Sequence, residues 1–254
     1  MPEGRARALL SADALAALPA LSAWERVLDA LRFALRPTPY AQRHPWSLGL
    51  AAALATVFAL DLAADWMTSA LIAVWDEAAG FLPAPLEEEG SWAEELFYSL
   101  LLAPLLEEAL YRGWLTGRVA ALRFAVFGFA AEACFIAGLW AGTAWEGTLA
   151  VAGVGIALAG FVQWLMTRER DVGVPPWFTR HFAVLVWTSS LLFAAVHLGN
   201  YETLTHPLGL LVVMPQLIGG LLLAYVRTRL GLGAAMTYHA AYNALFLLGE
   251  AWAG

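Results

Sequence analysis

The sequence predicts an all-α bundle that crosses a membrane about seven times. Its 254 residues are 61% hydrophobic and only 14% charged, where soluble domains carry roughly 25% charged residues. The apolar residues gather into stretches that can cross a hydrocarbon core of roughly 30 Å, which takes about 20 helical residues. Runs such as LLVVMPQLIGGLLLAYV do not alternate as the strands of a transmembrane barrel must. The expected spans are 47–66, 96–117, 121–141, 146–166, 182–198, 207–226 and 231–250.

The basic residues support this order independently. All 14 are arginine, and they cluster at Arg5 to Arg43, Arg112 to Arg123, Arg168 to Arg180, and Arg227 with Arg229. With these spans, every cluster falls on one side. Arginine-rich short loops stay in the cytoplasm, so the N-terminus is expected inside and the C-terminus outside. The segment DEAAGFLPAPLEEEGSWAEE, between the first two spans, has acidic residues and no basic one, as an outer loop should. The net charge of −7 therefore describes an acidic outer face set against an arginine-rich inner one, and nothing in it suggests nucleic acid. The one cysteine, Cys134, excludes an intramolecular disulfide and a cysteine-based zinc site.

Two segments are expected: a cytoplasmic or interfacial N-terminal segment, 1–45, and a transmembrane domain, 46–254. The first does not read as a signal peptide, because Ser11, Asp13 and Pro19 interrupt its apolar stretch. From Leu21, the residues Leu21, Trp24, Leu28, Leu31 and Leu35 recur at three and four, with Glu25, Arg26, Asp29, Arg32 and Arg36 on other faces. That is an amphipathic helix, expected on the inner membrane surface or docked on the protein's own inner loops. Gly153, Gly155, Gly160, Gly219 and Gly220 are read as places of close helix packing.

The stretch PLLEEALYRGW, residues 104–114, sets two glutamates and an arginine inside the second span. An ionisable group near the bilayer centre costs roughly 2.5–3.5 kcal/mol on insertion scales, so such groups face protein or water. Glu108 and Arg112 are four apart with the acid first, the favourable order for an ion pair. Glu107 lies about 100° around the helix from Glu108 and is left as the uncommitted carboxylate, the candidate for chemistry. His197 follows Phe193 by four, and Asn243 follows His239 by four, so each pair shares a helix face. Glu107, His197, His239 and Asn243 together offer a base, a second proton-handling group and hydrogen-bond donors, the set that attack of water on an amide requires. By rise per residue, His197 comes out nearer the outer membrane face than Glu107 and His239. A short, tilted or sunken fifth span is needed to bring it level. Asp61 and Glu132 are expected to face the bundle, and Asp65, beside Trp66, to sit at the outer interface.

The order Glu107-Glu108-Ala109-Leu110-Tyr111-Arg112, Phe193-Ala194-Ala195-Val196-His197 and His239-Ala240-Ala241-Tyr242-Asn243 resembles the EExxxR, FxxxH and HxxxN motifs of the CPBP family. These are intramembrane proteases that include the CAAX prenyl endopeptidases and bacterial bacteriocin-processing or immunity proteins. The likeness covers roughly residues 92–249. It implies that Glu107 and His197 activate water, that His239 and Asn243 stabilise the oxyanion, and that Glu108, Arg112 and Phe193 support the site's shape.

The resulting expectation is an intramembrane endopeptidase acting on a membrane-associated peptide or protein. It would be a multi-pass protein of the lipid bilayer, in a bacterial inner membrane to judge from the exclusive use of arginine over lysine. No metal is expected. If zinc were bound, Glu107, His197 and His239 would be its ligands, although no HExxH is present. Two rival classes are a proton-coupled transporter, since intramembrane acids and histidines form relays, and a catalytically silent scaffold or immunity protein.

Overall fold

The computed structural model describes residues 21–39, 46–86 and 90–253. Most of 1–45, including the stretch weighed as a signal peptide, lies outside the described residues. The chain forms α1 (Ala23–Leu35), α2 (Leu48–Ala79), a composite α3 (92–112), α4 (Val119–Ala141), α5 (Thr143–Thr167), a short α6 (Pro176–Arg180), α7 (Phe182–Val196), α8 (Met214–Arg229) and α9 (Leu232–Ala253). A 3₁₀ turn, His197–Asn200, prolongs α7, and another, Pro207–Val213, leads into α8. Apart from one bridge between Pro85 and Tyr201, the described residues contain no β structure.

Five helices among the described residues are long and apolar enough to cross a membrane: α2, α4, α5, α7 with its 3₁₀ extension, and α8 with its entry turn. The second and seventh expected spans coincide with α3 and α9, which are not among the five. Two π-helical turns break α3, and α9 is made polar by Tyr238, His239, Tyr242 and Asn243. At 32 residues, α2 exceeds the expected 47–66. A helix of that length is about 48 Å long and outruns a 30 Å core, so it must tilt or project. Ser47 caps its start by accepting from Leu50 N–H at 3.2 Å, and Gly80 ends it in the left-handed region at φ 60°.

The packed core lies toward the arginine-bearing end. There Phe33 of α1, Leu50 and Val57 of α2, Phe178 of α6, Phe182 and Val186 of α7, and Tyr225 and Val226 of α8 are almost fully buried. At the centre is α8, in which every residue from Gly220 to Arg229 is buried. On one side of α1, Ala30 and Phe33 are buried, and Arg229 bonds to Asp29 (3.3 Å), Thr38 O (3.1 Å) and Thr38 Oγ1 (2.8 Å). The amphipathic helix therefore docks on the protein itself, leaving Trp24, Leu31 and Leu35 on its outer side. By contrast, α4 and α5 form a hairpin that lies mostly outside the core. A side chain at Gly160 would collide with Phe127, and one at Gly153 would press on Phe135 at 3.0 Å. Gly155 faces open space, so it serves no helix contact here, contrary to the expectation for it.

At the opposite end, two loops close over the bundle. Asp76 accepts from the Phe81 and Leu82 N–H groups (2.6 and 2.7 Å), while Leu86 N–H donates to Asn200 O and Glu202 N–H to Ala84 O, both at 2.9 Å.

Candidate active site

The local geometry of α3 sets the site. Its π turns fall at Tyr98–Leu102 and Glu108–Arg112. A π turn widens the helix by a residue, shifts side chains around the axis and loosens backbone pairing, and such turns gather at functional sites. In the first turn, the Ser99 carbonyl accepts from Asn243 Nδ2 at 2.8 Å, which ties α9 to α3. In the second, Arg112 Nη1 donates to Glu108 Oε1 at 2.8 Å, with both side chains sealed from solvent.

That ion pair is packed and bonded through Glu108 Oε1 and the guanidinium, while Glu108 Oε2 has no partner. The Arg112 guanidinium lies over the Phe193 ring, 3.9 Å from its centroid, and approaches Gly220 O at 3.5 Å. A Cβ at 220 would press on both Arg112 Nη2 and the Phe193 ring at 3.2 Å. Below it, Arg227 donates to the carbonyls of Arg112 (3.1 Å) and Gly113 (3.3 Å), meeting acceptors that the helix end leaves open. Glu108 Oε1 also accepts from His239 Nδ1 at 3.0 Å. A carboxylate only accepts, so this bond puts the proton on Nδ1 and turns Nε2 away from Glu108.

Glu107 has a different environment. Its side chain is 30% exposed, its Oε2 lies 3.9 Å from His239 Nε2, and that oxygen has no hydrogen-bond partner. The adjacent glutamates are thus divided: one is consumed by structure and the other is open to a cavity. His197 caps the end of α7 and donates from Nδ1 to Phe193 O at 2.6 Å, which leaves its Nε2 as an acceptor. The depth problem is solved by the cavity, of about 630 Å³, which is lined by Glu107, His197, His239 and Asn243 together with Phe193. It also reaches Glu95, Ile72, Leu82, Asn200 and Tyr201, all toward the arginine-free end.

Other polar residues occupy the same wall. Tyr238 O–H donates to Asp61 at 2.7 Å, and one turn on Tyr242 O–H donates to Asp65 at 3.0 Å. Asp65 lines the cavity, as does Asp61. Sequence reasoning missed both tyrosines. Their spacing of four, matched to the spacing of four between Asp61 and Asp65, was the available signal. Glu132 accepts from Tyr111 O–H and is not part of the cavity lining.

Among the described residues, no three of His, Cys, Asp and Glu are grouped as a metal site requires. As placed, Glu107, His197 and His239 do not form such a group.

No curated protein and no solved structure matches this chain. A family model does match, over residues 160–245: Rce1-like, the type II CAAX prenyl endopeptidases. That stretch carries the second and third motifs, His197 and His239 included. The match to this protease family, in a helical protein with several apolar spans, supports assignment of the chain to the CPBP/CAAX proteases.

Proposed function

We propose that the protein is an intramembrane endopeptidase that hydrolyses a peptide bond with water activated by Glu107, without a bound cofactor. The observation that carries this reading is the split between the two glutamates. Glu107 is 30% exposed and lines a cavity beside two histidines, while Glu108 is sealed behind it with its Oε1 paired to Arg112 and His239.

In the proposed reaction, water enters between Glu107 and His197 Nε2, which accepts one of its hydrogens as a hydrogen bond and so orients it. Glu107 takes the other proton as hydroxide adds to the scissile carbonyl carbon. The oxyanion that forms is met by the Asn243 amide, whose NH₂ group has a second hydrogen besides the one given to Ser99, and by His239 Nε2. Donation from Nε2 requires the imidazolium form. With it, the cluster of Glu107, Glu108, Arg112 and His239 comes to zero net charge. When the C–N bond breaks, Glu107 returns its proton to the leaving amine.

The substrate would be a membrane-associated peptide or protein, and a bacterial inner membrane is the proposed location. Membrane peptides from cells carrying the wild type should include products that are missing with Glu107→Gln at equal folded yield. Identical peptide sets would end the hydrolase reading. Proton flux in proteoliposomes would then favour a transporter, and its absence a silent scaffold.

A further inference from the structure

Asp61 is 1% exposed, yet it faces the cavity and its pairing is incomplete. Tyr238 O–H covers Oδ2, while Oδ1 has no partner. A buried charge left half-paired costs several kcal/mol, so this oxygen is poised for a ligand. Gly219 lies against it, and a Cβ there would stand at ordinary contact distance, 3.7 and 3.9 Å, from the two carboxylate oxygens. One turn further out, Asp65 accepts from Tyr242 and from Ser69 (3.1 Å). Tyr238 and Tyr242 immediately precede His239 and Asn243, so this acidic wall adjoins the hydrolytic one.

The charge of the lining points to the chemistry of the occupant. Asp61, Asp65, Glu95 and Glu107 line the cavity, and among the described residues no arginine does. The cavity also opens toward the arginine-free end, where Asp76, Glu77, Glu94 and Glu202 are placed. An acidic funnel raises the local concentration of cations.

We propose that Asp61, supported by Asp65, forms a subsite for a cationic group of the substrate, so that the segment delivered to Glu107 carries a basic side chain or a free N-terminal ammonium. This rests on the reading of the cavity as a peptide site. The test uses wild-type protein in nanodiscs and three fluorescein-labelled decapeptide pools, randomised except at one central position. One pool is acetylated with Arg at that position, one is acetylated with Gln, and one has Gln and a free N-terminus.

One of the two cationic pools should bind about ten-fold tighter than the neutral pool, and which one does so identifies the side chain or the ammonium as the recognised group. In Asp61→Asn the advantage should fall to about two-fold or less, since Asn keeps the shape and the acceptor for Tyr238 but loses the charge. Asp65→Asn, at a half-buried position, should lower it as well and keeps the test intact if Asp61→Asn does not fold. Equal binding of all three pools, or a preference that survives both substitutions, overturns the subsite. Mass spectra of the same samples separate the two proposals. Preference without cleavage sinks the hydrolase and leaves the subsite standing, and cleavage without preference does the reverse.

Discussion

The two ends of the bundle use the same kinds of residue for opposite purposes. At the arginine-bearing end, charges are consumed: Glu108 pairs with Arg112, Arg227 caps the carbonyls that end α3, and Arg229 clamps Asp29 and Thr38 of the α1 region. Aromatic and branched side chains fill the space between them. At the other end the same helices part around a cavity lined by Asp61 and Glu107, each with one carboxylate oxygen that has no partner, as has Glu108 Oε2 at the border. Proteins break the rules of packing and polar satisfaction at functional sites and compensate elsewhere. Here the compensation is separated along the length of the bundle, within α3, α8 and α9 themselves. Glu107 and Glu108 mark the border, one residue apart.

If that division is correct, substitutions on its two sides should fail differently. The largest effect belongs to Glu107→Gln, which should lower cleavage about 10²–10⁴-fold, the range for loss of a general base, with thermal stability in detergent unchanged. A parallel loss of stability would show that Glu107 belongs to the packed half. Arg112→Ala should act in the opposite way. Removing one partner of a buried pair costs about 3–5 kcal/mol, so folded yield should collapse, and wild-type yield would break the comparison.

A smaller effect is expected at Gly220→Ala, whose methyl would press on Arg112 and Phe193 and cost about 1–3 kcal/mol as overpacking does, while Gly155→Ala, in open space, should be neutral. The thermal midpoints of the two variants check this.

The smallest effect concerns α1. Ser22 and Glu25 form its capping box, and hydrogen bonds from the Ser22 hydroxyl and N–H hold the exposed Glu25 carboxyl below its usual range. A depressed acid contributes stability above its unfolded value and loses it as pH falls through the lowered one, so protease cutting after α1 residues should rise only in acid. Ser22→Ala should cost about 1 kcal/mol and remove that acid dependence. The same pH profile in both proteins would count against the cap.

Much of the site was legible because its parts are intramembrane exceptions. Glu107, Glu108, Arg112, His197, His239 and Asn243 stand out in apolar runs, and a spacing of four defines which ones share a face. The part of Asp65 in the cavity was not legible, because an interface reading follows neighbours along the chain, whereas Asp65 also bonds to Tyr242, 177 residues away. The break-up of α3 was not legible either. The π turns lie beside carbonyls that Asn243 and Arg227 reach from other helices, contacts that no local pattern announces.

The sequence by itself determined the helical class, the apolar spans, the sidedness of the arginines and the identity of the polar residues, because hydropathy, charge and periodicity act over one or two turns of chain. Only the tertiary structure decided that His197 lines the same cavity as Glu107, that Asp61 and Asp65 join it, and that one glutamate is sealed while the next is partly exposed. Those outcomes depend on how α2, α3, α7, α8 and α9 rotate and tilt against one another, and that is set by long-range packing rather than by any local preference.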